Sequence, residues 1–424
     1  MKIRRFAPAL AAAAAMAISL SGCGEPEDGG TGQETGGSQA ETTTITLLSW
    51  TREPQMTPQL EAFAAAHPEV KIDVTYSPPV DEYIQTLQTR ILSGTAPDVF
   101  IITAENKTNL IEGQYVLDLA GEPFMQKVPE YNRRALGKDG AEYGLSVASW
   151  AGGLLYNEDL LAGVGYEAMP ESWDDFLEMG KKLKETGVAP YLQAGAGLND
   201  TLIALLGARD QQEDHQMDAK IFAGESTFAA EYTPVLEGYN RLVTEGIMSP
   251  DVVGLDSEQL LTEFSAGRVA MIPAGPWNIT PIAEANPELN FKFALVPALA
   301  GTEPYASGCY SAGYAINVAS DAKQQAAAKV FLEWLTTPEA AAIINQETGD
   351  ATVLPGYEPA VPPQYEPMVP SIQAGEIYLP QASWSRSEDV LATEFSAQLQ
   401  RMIQGEITPK QVAEALDAKL AAAG

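Results

Sequence analysis

The side chains best suited to binding chemistry in this chain are aromatic residues at the ends of predicted strands, at crossings or in turns. Four of the six tryptophans are placed this way: Trp50, Trp150, Trp277 and Trp384. A flat aromatic ring packs on the apolar face of a small molecule, while polar neighbours bind its polar edge. The other two tryptophans, Trp173 and Trp334, fall on the apolar faces of predicted helices and are expected in cores.

Polar candidates follow the same predicted strands. We expect ligand contacts from four of them: Glu53, Glu105, Asn106 and Tyr310. Exposed glutamate is common, so a solvated loop acid is an equally good interpretation of Glu105. Arg52 and Arg386 could bind a carboxylate or phosphate, although surface or ion-pair roles explain them as well.

Catalytic and metal chemistry have little support in the sequence. The chain has only two histidines, no G-x-S-x-G element and no cluster with metal-ligand spacing. His67 precedes Pro68 at a predicted helix end, and His215 lies in a polar run. We therefore expect no enzyme activity, cofactor or metal, while paired-carboxylate glycosidase chemistry leaves no motif and stays open.

The elements that would position these residues begin as an alternating pattern. Strands are predicted at residues 44–50, 70–76 and 98–102, with helices at 58–66 and 81–92 between them. This β-α-β-α-β order predicts a doubly wound α/β sheet. Ligands of such sheets bind beyond the carboxyl ends of the strands, here Trp50–Glu53 and Thr103–Asn106.

A crossing between two lobes is predicted near the middle of the chain. Two apolar runs flank Ala151-Gly152-Gly153, where the glycines permit a bend. Trp150 then lies on the seam, although a core tryptophan at a strand end fits the same pattern. A second glycine-marked bend is predicted at Ser307–Tyr310.

The first residues resemble a bacterial lipoprotein signal. Basic residues precede an apolar run from Ala7 to Leu20, and Leu20-Ser21-Gly22-Cys23 matches a lipobox. Residues 1–22 are then a signal peptide, and acylation of Cys23 is a membrane anchor. Residues 23–43 are rich in Gly, Glu, Thr and Ser and are expected to be a disordered tether. Cys309 is left without a partner, and we expect it to be a small buried apolar residue.

Length and charge limit the remaining possibilities. The 424 residues suffice for two or three domains, and the net charge is −32. Such an acidic chain cannot neutralise phosphates, which argues against nucleic acid and against adsorption to anionic lipid.

Six short phrases in one order carry a resemblance that covers residues 44–424. They are Leu92–Val99, Leu155–Leu161, Pro170–Phe176, Phe264–Met271, Gly275–Trp277 and Ala327–Leu335. Together they resemble the family 1 extracellular solute-binding proteins, the carbohydrate-binding group that includes maltose-binding protein. The resemblance implies two doubly wound α/β lobes joined by crossing hinge segments, the type II periplasmic-binding-protein fold. It places residues 44–150 and 312–355 in an N-terminal lobe, and residues 151–311 and 356–424 in a C-terminal lobe.

The resemblance also implies a function. A monomer outside the cytoplasm would close on a neutral sugar or short oligosaccharide and deliver it to ABC permease subunits with their ATPase. Trp277 matches the stacking tryptophan of the family's Gly-Pro-Trp turn, and Trp384 resembles a second one. Trp150 stands where the maltose binder has an acidic contact, so the specificity is expected to differ from that of the maltose binder. A polyol, a phosphate ester such as glycerol phosphate, and iron are the alternative ligands.

Overall fold

The computed structural model describes residues 42–195 and 197–423, and the Cys23 lipidation site and most of the predicted tether lie outside these ranges. The first half of the chain alternates strands and helices: β1 (Thr43–Ser49), α1 (Glu53–Ala66), β2 (Val70–Tyr76), α2 (Val80–Leu92), β3 (Val99–Ile102), α3 (Lys107–Glu112), α4 (Glu130–Ala135), β4 (Gly137–Lys138), β5 (Ala141–Glu142), β6 (Ala148–Asn157), α5 (Glu158–Gly163), α6 (Trp173–Glu185) and β7 (Ala189–Tyr191).

The second half contains longer helices and completes both sheets: α7 (Asp200–Gln212), α8 (Met217–Ala223), α9 (Phe228–Thr244), α10 (Ser257–Ser265), β8 (Val269–Ala274), α11 (Ile279–Ala285), β9 (Phe291–Ala294), β10 (Ala306–Tyr310), β11 (Gly313–Ile316), α12 (Ala322–Leu335), α13 (Pro338–Thr348), β12 (Ala351–Thr352), α14 (Val369–Ala374), β13 (Ile377–Tyr378), α15 (Pro380–Ser383), α16 (Glu388–Ile403) and α17 (Pro409–Ala423).

The first lobe is built on a four-stranded sheet in the order β11-β3-β1-β2. β1 is parallel to β2 and β3, whereas β11 returns antiparallel to β3. The predicted β-α-β-α-β order is confirmed, with β1 beginning one residue earlier than expected. All four residues of β3 are buried, as expected for a central parallel strand covered by helices on both faces.

The second lobe is built around strand β6. In the sheet order β13-β10-β6-β8-β7, β6 is central, and β9 and β12 pair with it as well. Residues 149–152 of β6 pair with β10, and residues 153–156 pair with β8. β6 therefore changes partners between Gly152 and Gly153.

The glycines at the crossing have a different role from the predicted one. They lie inside one continuous strand. A side chain at Gly152 would meet the Asp200 carboxylate at 2.3 Å, and one at Gly153 would meet the Ala294 carbonyl oxygen at 2.4 Å. Glycine is required here because neighbouring groups approach the backbone closely.

The apolar cores separate along the chain. One buried apolar cluster consists of residues from two parts of the chain, Ile45 to Ala148 and Cys309 to Leu354. Two further clusters take residues from Ala151 onward, and one of them extends to Leu420 at the end of α17. The lobe boundaries at residues 150, 311 and 355 stay a prediction.

A buried carboxyl joins three aromatic side chains in the second-lobe core. Asp218 is 2% exposed and accepts hydrogen bonds from Tyr378 Oη at 2.6 Å and Tyr232 Oη at 3.0 Å. Tyr232 Oη also accepts from Trp384 Nε1 at 3.2 Å. Burial is the main reason that the pKa of Asp218 is raised to about 6, from an ordinary value of 3.8.

This raised pKa predicts the pH dependence of stability. Between about pH 4 and pH 6 the folded chain keeps a proton on Asp218 that the unfolded chain releases, so this group stabilises the fold at low pH and loses that effect as pH rises. Asp218→Asn keeps an acceptor oxygen but cannot titrate. The free energy of unfolding of the wild type, relative to the variant, should therefore fall by about 1–3 kcal/mol from pH 4 to pH 6.5.

Urea denaturation at several pH values measures this difference. Asp139→Asn is the matched control, because Asp139 is an exposed turn residue with a φ of 54°, which asparagine also tolerates. If the free energies of unfolding of wild type and Asp218→Asn changed with pH by the same amount, the raised pKa of Asp218 would be contradicted.

Candidate functional site

A cleft of about 730 Å³ opens at the carboxyl ends of first-lobe strands. Its walls include Trp50 and Thr51 after β1 and Thr103 to Glu105 after β3. Trp150 on β6 and Trp277 after β8 complete the opposite side. The cleft therefore lies where a doubly wound sheet is expected to bind ligands.

Two tryptophans form an aromatic corner at this cleft. The rings of Trp150 and Trp277 meet edge to face, with centroids 5.2 Å apart and planes inclined at 71°. Trp277 is 54% exposed, which is unusual for so large an apolar side chain and leaves much of its indole free for contact.

Local turn chemistry holds Trp277 in place. Pro276 begins a short 3₁₀ turn, and Asn278 Oδ1 accepts from the Gly275 N–H at 3.1 Å. A side chain at Gly275 would collide with the Trp277 ring at 2.3 Å, so the indole folds back over the glycine. The Gly-Pro-Trp sequence therefore fixes the position of the ring before any ligand arrives.

Three further predicted contacts also line the cleft: Trp50, Glu105 and Tyr310. The Trp50 ring meets Tyr83 edge to face at 5.3 Å. Tyr310 is 4% exposed, and its hydroxyl has no hydrogen-bond partner among the described residues. Burial raises the pKa of Tyr310 well above its ordinary value, so the hydroxyl keeps its proton at neutral pH.

The other three predicted contacts, Trp384, Asn106 and Glu53, are not part of this cleft wall. Trp384 is fully buried in the second-lobe core, where it donates to Tyr232. Asn106 is 3% exposed and its Oδ1 accepts from the Thr103 N–H at 2.9 Å, which stabilises the turn into α3. Glu53 is exposed on the first turn of α1 and is absent from the cleft wall.

The sequence interpretation missed the wall supplied by α1, β11 and the end of α13. These cleft residues include Gln55, Gln59, Ser311, Tyr314, Glu347, Thr348 and Asp350. Burial is the main reason that the pKa of Asp350 is raised to about 6. In the sequence, only Thr348-Gly349-Asp350 pointed to these residues, because a glycine that ends a helix is followed by an acid. That Asp350 lies beside the cleft depends on the tertiary fold.

Neither histidine belongs to the cleft wall. His67 Nδ1 lies 3.1 Å from Glu69 Oε1, and its ring stacks on Phe63. His215 Nδ1 lies 3.3 Å from Asp210 Oδ2. Within the described ranges, no group of three or more His, Cys, Asp or Glu side chains is arranged to hold a metal ion. No helix in the part of the chain that the structure describes is long and apolar enough to cross a membrane.

Comparison with known proteins identifies the family. The sequence model of the bacterial extracellular solute-binding proteins matches residues 50–342. The multiple sugar-binding protein of Streptococcus mutans is 20% identical over 319 residues, which are 72% of this chain and 74% of that protein. The chain spans 58% of the length of the curated relatives that it matches first.

Solved structures extend the comparison to the whole fold. A family 1 extracellular solute-binding protein from Bifidobacterium longum subsp. infantis is 30% identical, with a TM-score of 0.81 over 90% of this chain and all of that chain. An ABC substrate-binding protein from Listeria monocytogenes, solved with cycloalternan, has a TM-score of 0.72 at 20% identity, over 90% of this chain and 99% of that chain. This chain belongs to the bacterial extracellular solute-binding protein family.

Proposed function

We propose that the chain captures a neutral carbohydrate, in particular a short oligosaccharide, in the cleft and delivers it to an ABC importer. The main supporting observation is the half-exposed indole of Trp277, held against Trp150 at a cleft whose opposite wall carries carboxylates and amides. The aromatic ring suits the C–H face of a sugar, and the polar wall suits its hydroxyls. The sugar-binding name of the Streptococcus relative and the cycloalternan in the Listeria structure support the same ligand class.

The alternative ligands fit this cleft less well. A phosphate ester needs cations, and the cleft wall contains one arginine, Arg52, against Glu105, Glu347 and Asp350. Arg386 lies on the second lobe, where its guanidinium stacks over Phe222 at 5.5 Å and is absent from the cleft wall. A neutral polyol would match the polar wall but would use less of the aromatic corner.

The proposal includes a mechanism of capture. The protein works as a monomer whose two lobes close on the sugar by hinge motion, as in other periplasmic-type binding proteins. Closure excludes water and strengthens the hydrogen bonds to the ligand. The permease subunits, with their ATPase, then receive the sugar.

A sugar panel tests the proposed function. Residues 42–424 are mixed with raffinose, stachyose, maltotriose, cellotriose and triacetylchitotriose, and with glycerol 3-phosphate as the competing class. At least one sugar should raise the melting temperature, because a ligand at 100 times its Kd stabilises the folded state by about 2.7 kcal/mol. The same sugar should reduce the radius of gyration in X-ray scattering. Stabilisation by glycerol 3-phosphate alone would favour the alternative ligand.

A pair of tryptophan substitutions separates binding from stability. Trp277→Ala should weaken sugar binding by about 2–4 kcal/mol, roughly 30- to 1000-fold, because a preplaced exposed ring is lost. Its melting temperature should stay close to that of the wild type. Trp384→Ala should instead lower the free energy of unfolding by about 3–5 kcal/mol, because it empties a core position and removes a donor to Tyr232.

Calorimetric affinity and urea denaturation, measured on both variants, test this separation. The stacking role of Trp277 would be excluded if Trp277→Ala melted early and its folded fraction bound sugar with unchanged affinity.

We further propose that the chain is a lipoprotein held to the membrane by acylated Cys23. Cys23→Ala should release it into the soluble fraction, because stable anchoring depends on acyl chains. The measurement is membrane fractionation of cells that express each form, with Cys309→Ala as the control. Extraction of the wild type by high salt alone would contradict lipid anchoring, since salt does not remove acyl chains from a bilayer.

A further inference from the structure

Asp350 lies in the cleft wall, on a backbone that is held by hydrogen bonds on both sides. Its N–H donates to Thr348 Oγ1 at 3.2 Å, and its carbonyl accepts from Asn345 Nδ2 at 3.0 Å. Gly349, with a φ of 76°, ends α13 just before it, and Ala351 just after it pairs with β6. The carboxyl group is therefore pre-positioned in the way that a binding residue requires.

The carboxyl group of Asp350 has polar neighbours but no cationic one. It makes no ion pair within the described part of the chain. The Ser311 and Thr348 hydroxyls lower its pKa, but burial is the larger effect and raises it. An acid that is partly desolvated without a cation destabilises the fold when ionised, and such residues concentrate at functional sites.

A second polar side chain, which can donate a hydrogen bond, lines the same cleft. Gln59 on α1 is 5% exposed, lines the cleft, and has an Nε2 without a hydrogen-bond partner of normal geometry among the described residues. Burial is the main reason that the pKa of Tyr314 is raised, while Gln59 lowers this pKa and the charge of Asp350 raises it, so both groups lie near the Tyr314 hydroxyl. A ligand hydroxyl can accept from an amide N–H while it donates to a carboxylate.

The charges of the wall decide which ligands this corner accepts. The cleft lining contains three carboxylates and the single guanidinium of Arg52, and it contains no lysine or histidine. A ligand carboxylate or phosphate placed beside Asp350 would meet like charge in a partly dehydrated cleft, which is strongly unfavourable.

We propose that Gln59, Ser311, Tyr314 and Asp350 form a specificity subsite, the Asp350 corner, that binds hydroxyl groups at one end of a neutral sugar and rejects anionic sugars. This inference rests on the proposed function. Sequence similarity alone would not single out these residues, because they come from α1, the β10–β11 connection, β11 and the residue after α13.

The first test compares two charge-removing variants, one in the cleft wall and one outside it. Asp350→Asn should weaken binding of the best sugar from the panel by about 10- to 100-fold at pH 7.5, the range for a hydrogen bond to a charged group. Glu339→Gln, at an exposed position on the first turn of the same helix α13 and outside the cleft wall, should change affinity by less than about threefold, the effect of an exposed charge. Calorimetry gives the affinities, and the melting temperatures show that both variants are folded.

The second test uses pH. A bound hydroxyl that donates to Asp350 stabilises the carboxylate form of this side chain. The affinity for sugar should therefore be highest above about pH 6, where Asp350 is ionised, and should decrease as the pH falls below about 6. From pH 7.5 to pH 5.0 the wild type should lose up to about tenfold in affinity, and Asp350→Asn should lose little.

Groups near Asp350 on other elements are controlled in the same experiment. They are Tyr314 on β11, Tyr365 from the second lobe, Glu347 on α13 and Arg52 before α1. Burial raises the pKa of both tyrosines, so neither hydroxyl loses its proton between pH 5.0 and pH 7.5. Glu347→Gln measures the contribution of the glutamate.

The possible results separate this inference from the proposed function. If the wild type binds none of the panel sugars, the proposed function and this inference both fail. If it binds one and Asp350→Asn binds equally well, or if binding strengthens at pH 5.0, the inference alone fails. Trigalacturonate bound as tightly as the best neutral sugar would also overturn it.

Discussion

Strand β6 has to remain hydrogen-bonded and buried while it passes from one apolar core to the other. It pairs with β10 and β12 near its start and with β8 and β9 near its end. Its residues are buried, except for the partly exposed Trp150. This demand explains the two glycines, since a side chain at either position would displace Asp200 or the Ala294 carbonyl. Trp150, and with it the aromatic corner, therefore lies on a strand that pairs with four others.

The change of strand partner within β6 identifies where the hinge motion that we propose would bend the chain. Bending inside either paired segment would break ladder hydrogen bonds, and unpaired buried backbone groups are costly. At the step from Gly152 to Gly153 the ladder with β10 ends and the ladder with β8 begins. Glycine also tolerates the largest change in backbone angles.

Local pattern was sufficient to predict the first-lobe sheet and several helices. β2 has the predicted bounds, and Trp173 and Trp334 are buried on helices α6 and α12, as expected. The secondary structure of residues 194–232, which include α7, could not be predicted from the sequence, and for α7 the reason is physical. Residues 201–208 of α7 are all buried, so the helix lacks the polar face that reveals an amphipathic period.

The candidate site was predictable only in part, because aromatic residues look alike in sequence whether they bind or pack. The Gly275-Pro276 turn distinguished Trp277 as a candidate contact in the sequence. Trp384 also follows a short element, α15, but its side chain is buried in the core. Asp350 could not be found, because β11 and α13 reach the cleft through a sheet order that places β11 beside β3. Its chemistry is set by neighbours that lie far away in the sequence.

The distribution of tryptophans also gives the protein an internal optical reporter. Trp173, Trp334 and Trp384 are each at most 3% exposed, whereas Trp277 is 54% exposed, the largest value for a tryptophan in the described chain. Indole emission shifts to shorter wavelength when water is removed from the ring. Any event that covers Trp277 therefore changes the emission spectrum against a nearly constant background from the three core indoles. The feature that suits the ring to a ligand also makes its occupancy visible without a label.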